Sequence, residues 1–192
     1  MAKAVATFVI EHLEPKMYPW CLLEYKHISK RVGKKNLMFA NVRTEGESLK
    51  PLGEVHKNSV KQLKLTKACV LDPSSSKTLT PQIAKRFDYF IFGGILGDNP
   101  QRFRTKRELS SKLKLPSYNL GDKQMSTDTA VIVCSEIVKG IPLSKMKFVE
   151  ELEFEEESGF YRILPYRYLM EKGKVVFTPR LKALLKKIGH KL

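Results

Sequence analysis

Chemistry in this chain is most concentrated in FGGILGDNPQRFRTK, from Phe92 to Lys106. Three glycines (Gly93, Gly94 and Gly97) and a carboxylate, Asp98, precede four cations, Arg102, Arg104, Lys106 and Arg107. A shorter segment, LGDKQM, runs from Leu120 to Met125, and Leu71-Asp72-Pro73 makes a third of similar kind. Glycine has no Cβ, so backbone amides and carbonyls can approach a ligand closely. Strand-to-helix turns use glycine as well, and Gly93-Gly94 alone fits that reading equally. Two such loops, each with an Ile or Leu and an Asp, point instead to a ligand. A phosphate cradle is excluded: GGILG follows a late strand with no helix start at Arg102, and no glycine pair precedes a Lys-Ser or Lys-Thr. An adenine read by backbone hydrogen bonds between apolar walls fits better.

These loops need elements to hold them. Val5 to Ile10 reads as a buried strand ending at Glu11 and His12, and Tyr18 to Val32 as a helix stopped by Gly33. Leu37 to Val42 is a second strand and Ala68 to Leu71 a third, with a weakly patterned stretch between. Thr80-Pro81 is an N-cap with proline in the first helical position, opening a short helix to Arg86. Tyr89 to Phe92 is the strand that feeds the glycine loop. Thr105 to Leu113 reads as helix, Leu120 as the start of a brief extended segment, and Ser126 to Lys139 as the clearest helix, ended by Gly140. Alternating strands and helices imply an α/β fold, a mainly parallel sheet with helices on both faces and ligands at the carboxyl edge. After Phe148 the pattern turns strand-like and irregular, with a basic helix from Pro179 to Lys187.

YFIFGGILGDNPQRFRTKREL, followed by NLGDKQMSTDTA, closely resembles the archaeal and eukaryotic branch of the SPOUT methyltransferases that includes a eukaryotic ribosomal-protein arginine methyltransferase. VIEHLEP, WCLLEYKHIS, VLDP and LPYRY extend the resemblance from about residue 8 to 180, with Arg43 to Lys67 lacking a matching pattern. The resemblance implies a deep trefoil knot, around residues 88–140, that grips S-adenosylmethionine. It divides the chain into a core, 1–147, and a C-terminal extension, 148–192, packed on it. Phe92, Gly93, Gly94 and Gly97 would line one side of the cofactor. Leu120, Gly121, Met125 and Ser126 would line the other, with Leu71 and Asp72 at the floor.

Methyl transfer from a sulfonium needs an in-line nucleophile and a destination for the proton, without metal or covalent intermediate. An arginine acceptor is protonated, so a carboxylate must orient it and help remove a proton. Asp98 is the first candidate, with Glu11 and His12 at the same sheet edge. Asp98 also suits a turn cap, and His12 a packed, hydrogen-bonded role. Arg102, Arg104, Lys106 and Arg107 suit orienting an RNA phosphate or the substrate's backbone near the methyl; Arg102 and Arg104 equally suit pairing with Asp98 or Asp122 to hold the loops. An Asp122–Lys123 pair is a further expectation, and Asp128 reads as a helix-dipole residue. An arginine pocket should be acidic, with Asp98 and Glu11; a base pocket should be ringed by Arg102, Arg104 and Tyr166. The acceptor is thus a ribosomal-protein arginine or an RNA, with a non-catalytic RNA-binding module the least favoured alternative.

The balance of 35 Lys and Arg against 20 Asp and Glu gives a net charge of +15, which favours proximity to RNA. Glu150 to Glu157 concentrates acids in a run that suits a solvated edge better than an internal screen. Cys21, Cys69 and Cys134 lie far apart in apolar runs, and the histidines show no ligand spacing, so no metal is expected. The N-terminal apolar run is too short for a signal peptide and no stretch is long enough to span a membrane, which implies a cytoplasmic protein. Monomer and homodimer both stay open.

Overall fold

Residues 6–97, 102–155, 159 and 161–188 are described by the computed structural model. The central sheet holds β1 (Thr7–His12), β2 (Leu37–Ala40), β3 (Glu54–Val55), β4 (Ala68–Leu71), β5 (Tyr89–Gly94) and β6 (Ser117–Tyr118). Their order is β3-β2-β1-β5-β4-β6, and all neighbours run parallel. Strand alternation divides the side chains between two layers. Phe8, Ile10, Phe90 and Phe92 pack toward α1 (Pro19–Val32) and α5 (Thr127–Val138). Val9, Val70 and Ile91 point to the other face, with Val60 of α2 (Val60–Leu63) and Leu109.

The register between β1 and β5 runs from Thr7 opposite Tyr89 to His12 opposite Gly94. It places Glu11 and His12 beside the two glycines at the carboxyl edge. β5 enters between β1 and β4, and the chain then passes outside β4 to form β6 before returning as α5. On this path Asn119 donates its amide to the Lys77 carbonyl at 2.7 Å, and its carbonyl accepts from Leu79 at 3.0 Å. These re-entrant connections fall inside 88–140, the region where the resemblance implies the knot.

Several boundaries differ from the sequence expectation for local reasons. β2 stops at Ala40 because Asn41 turns left-handed, at φ 59°, and donates its side-chain amide to the His12 carbonyl. The helix expected over Thr105 to Leu113 breaks after α4 (Arg104–Glu108), where Leu109 is pulled fully into the core, and resumes as a 3-10 turn, Ser110–Lys112. The extended segment expected from Leu120 lies earlier, as β6. The weakly patterned stretch from Arg43 to Lys67 supplies the edge strand β3 and α2. Gly53 is needed there, because a Cβ would sit 2.5 Å from the Leu37 carbonyl oxygen. Thr80 caps α3 (Pro81–Ala84) through the Ile83 amide, as read from the sequence.

The C-terminal part adds antiparallel structure. β7 (Lys147–Val149), β10 (Tyr168–Glu171) and β11 (Lys174–Val175) form one small sheet; β8 (Leu152–Glu155) and β9 (Tyr161–Leu164) form a hairpin. The helix α6 (Leu181–Ile188) buries Leu181 and Leu185 in a cluster with Leu164, Tyr166 and Tyr168, against Trp20 and Leu23 of α1. Along β8 the acids of the Glu150 to Glu157 run stay exposed while Leu152 and Phe154 are half-buried. Among the described residues no helix is long and apolar enough to cross a membrane, and no group of three or more His, Cys, Asp or Glu could hold a metal.

Candidate active site

The carboxyl ends of β4 and β5 open into a cleft walled by Leu71, Asp72, Phe92, Gly93, Gly97, Met125 and Thr127. A second recess adjoins it, with Leu120, Gly121 and Lys123 as its own walls and Leu71, Asp72, Pro73, Met125 and Ala130 in common. Eight of the ten residues predicted for the cofactor therefore meet here. The recesses measure about 90 and 40 Å³. Met125, one of the shared walls, is unbranched and readily repacked.

The other two cofactor candidates are placed elsewhere. Gly94 points into the opposite layer, where a Cβ would meet the Tyr25 hydroxyl at 2.4 Å and Ile10 Cγ2 at 2.8 Å. Its bare backbone serves helix-to-strand packing. Ser126 turns its hydroxyl to Asp128 Oδ1 at 2.7 Å and to the Thr129 hydroxyl at 2.9 Å.

Each cleft residue is held by a neighbour. Asp72 accepts from the Ser74 amide and hydroxyl, both at 2.8 Å, and from the Ser110 hydroxyl. It thus ties the β4 turn to the 3-10 turn after α4. Side chains at Gly93 and Gly97 would collide with Ile95 at 2.9 Å and with the Tyr166 ring at 2.7 Å. Gly121 takes φ 104°, a conformation that favours glycine. Main chain, apolar walls and one fixed carboxylate, with Arg102 and Arg104 at the rim, suit a nucleoside read by the backbone.

Charged residues sort differently from the sequence reading. Glu11 is buried away from the cleft, accepting from the Ser59 hydroxyl and, at 3.0 Å, the Val60 amide. Burial pushes its carboxyl up, against those two hydrogen bonds. It therefore anchors the start of α2, which corrects its assignment to catalysis. Asp98 lies outside the described residues. Arg102 is exposed at the cleft mouth. Arg104 pairs with Glu14 at 2.7 Å and Glu108 at 3.0 Å, partners other than the Asp98 and Asp122 expected. Burial works against the Arg104 charge, but the Glu108 and Glu14 carboxylates outweigh it and hold the guanidinium above its ordinary value. Arg107 is exposed and pairs with Glu108 at 2.9 Å. Asp122 lies 3.6 Å from Arg167, in place of the expected Lys123 pair. Tyr166 is buried and donates its hydroxyl to the Gly97 carbonyl at 2.8 Å, closing one side of the loop.

Sequence reasoning missed Glu14 and the network around α1. Glu14 accepts the Leu96 amide at 2.9 Å as well as Arg104, so it links the β1–α1 turn to the glycine loop. Its place in VIEHLEP, three residues after Glu11, was the available signal. His12 is packed, with Nδ1 2.9 Å from the Tyr25 hydroxyl, and burial lowers its pKa. Asp128 lies in the first turn of α5, as the helix-dipole reading expects, and is also buried, bonded to His27 at 2.7 Å and to the Thr178 hydroxyl at 2.5 Å. Glu24 accepts Trp20 Nε1 at 3.0 Å and bonds Thr127.

Comparison with known proteins places the fold and the family. Protein arginine N-methyltransferase SFM1 of Saccharomyces cerevisiae is 36% identical over 202 residues, covering 94% of each chain. The yeast SFM1 crystal structure complexed with SAM superposes with a TM-score of 0.85 at 34% identity, over 95% of this chain and 91% of that one. The complex with SAH gives 0.84 at 34% identity, over 96% and 97%. A dual-specific Trm10 from Thermococcus kodakaraensis, 14% identical, matches with a TM-score of 0.54 over 73% of this chain and 96% of that one. The fold is that of the SPOUT methyltransferases. Residues 7–191 match the family described as protein arginine N-methyltransferase SFM1-like, and the chain belongs to that family.

Proposed function

We propose that this protein methylates an arginine of a ribosomal protein, using S-adenosylmethionine bound in the cleft between the β4, β5 and 121–125 turns. The carrying observation is the union of a glycine-walled cleft with a neighbouring carboxylate pair. Glu14 and Glu108 flank the half-buried Arg104 at the cleft mouth and neutralise it. A base pocket ringed by free arginines is thereby disfavoured. The cofactor supplies an electrophilic methyl on a sulfonium. Leu71, Gly93, Gly97 and Gly121 would hold it through the main chain, and Asp72 would keep the floor fixed. For an acceptor guanidinium beside Gly97, Asp98, next in the chain, is the carboxylate assigned to orient it and help remove its proton. The net charge of +15 supports an acceptor met beside ribosomal RNA, in the cytoplasm.

The test supplies methyl-labelled S-adenosylmethionine and ribosomes from cells lacking this protein. Label is expected in a ribosomal protein and, after acid hydrolysis, in methylarginine. Label in RNA alone overturns the reading.

A further inference from the structure

S-adenosylmethionine carries an amino acid beyond its sulfonium, and the two recesses of the cleft offer that end unequal partners. The recess at Leu120 and Gly121 is walled by Leu71, Met125 and Ala130, an apolar surface suited to the base. The other recess has the polar walls Arg102, Arg104, Thr105 and Gln124, and it includes Gly97, which Asp98 follows in the chain. Only a short carbon chain separates the sulfonium from the α-carboxylate, so both belong on this polar side.

Three cations line the two recesses, and they differ in what they have left to give. Arg104 donates Nη1 to Glu14 at 2.7 Å, Nε to Glu108 at 3.0 Å and Nη2 to the Leu13 carbonyl at 3.2 Å. Two carboxylates offset its charge. Lys123 stands on the apolar recess. Arg102 is exposed at the polar recess, and among the described residues its guanidinium has no ion-pair or hydrogen-bond partner.

We infer that Arg102 binds the α-carboxylate of S-adenosylmethionine, completing with one charged side chain a cleft that otherwise reads the nucleoside through the main chain. The inference concerns the cofactor alone and stands whichever acceptor is methylated. A planar guanidinium matches a carboxylate with paired, charge-assisted hydrogen bonds. The carboxylate would satisfy Arg102 as Glu14 and Glu108 satisfy Arg104. Selectivity follows from this pairing: bare peptide and apolar walls accept any adenine nucleoside, whereas Arg102 favours one that carries the amino-acid end.

The probe is decarboxylated S-adenosylmethionine, which keeps the sulfonium and the amine and lacks the carboxylate. Calorimetric titration of the full-length protein, with no acceptor present, compares it with S-adenosylmethionine. The parent should bind S-adenosylmethionine about tenfold more tightly, the scale of a charge-assisted pair at an open site. Arg102→Gln should weaken S-adenosylmethionine by that factor and leave the decarboxylated compound unchanged. Arg102→Lys should keep part of the preference, and Lys123→Gln should preserve it. If Arg102→Gln weakens both ligands alike, Arg102 braces the cleft wall and the inference fails. It fails equally if the parent shows no preference, if Lys123→Gln removes the preference, or if Arg102→Gln alters only the KM of the acceptor. These titrations contain no acceptor, so such a failure leaves the arginine reading to its own labelling test.

Discussion

Glu24 and Asp128 sit within electrostatic reach of each other between α1 and α5, and the molecule treats them unlike. Asp128 is surrounded by donors from His27, Ser126 and Thr178. Glu24 has fewer: burial pushes its carboxyl well above its ordinary 4.5, the Asp128 charge adds to that, and bonds from Trp20 and Thr127 oppose it. The folded state therefore keeps a proton on Glu24 that the unfolded chain releases above about pH 4.5. Folding takes up a proton in that window, so stability falls as pH rises from the unfolded pKa toward the folded one. Glu24→Gln keeps the shape without the proton. It should be more stable than the parent near pH 7, and its advantage should shrink as pH falls toward 4.5 and be lost below it; denaturant midpoints across that range measure it. A variant no more stable at neutral pH would show that Glu24 is held ionised. Asp98 makes a second test at this scale. Asp98→Ala should leave cofactor affinity by calorimetry unchanged and lower kcat by about 10²–10⁴-fold, the usual contribution of acid–base assistance. An unaltered kcat removes Asp98 from the reaction.

Glycines show where element-level reading of a sequence succeeds and where it stops. That loops after β4, β5 and β6 meet at one edge follows from the alternation of strand and helix, and eight of the ten predicted cofactor residues line the cleft because of it. Adjacent glycines in a strand face opposite layers, however, and composition cannot say which layer holds the ligand. Gly93 faces the cleft; Gly94 faces Tyr25 and Ile10. The Glu14 partner of Arg104 was equally hidden, since it reaches across a sequence distance that no local pattern encodes, whereas Glu108 lies at i+4. The β3 and α2 segment left no periodic signal because it is held by single contacts, such as Glu11 to Ser59 and Gly53 on Leu37. Gly94→Ala should accordingly destabilise the fold by about 1–3 kcal/mol, the cost of overpacking a filled core. The measurement is a denaturant midpoint without cofactor. A variant of parental stability that has lost cofactor affinity would return Gly94 to the cleft.

Charge is a property of the whole molecule, and its distribution separates what it does from what the cleft does. The surplus of +15 is carried by exposed groups such as Arg102 and Lys106, whereas half-buried cations are spent on carboxylates: Arg104 on Glu14, Arg31 on Glu171, Arg167 on Glu150. Surface charge of this kind acts through long-range attraction to a polyanion and is screened within about 8–10 Å at physiological salt. Chemistry at the neutralised cleft mouth is not. Methylation of an acceptor presented on ribosomes should therefore lose about tenfold or more in kcat/KM between roughly 50 and 200 mM salt, as counterion release requires when several phosphates are contacted. Methylation of the same acceptor as a free peptide should change far less. Equal salt dependence for both substrates would mean that the basic surface engages the acceptor itself, and the ribosome would then contribute nothing to recognition beyond carrying it.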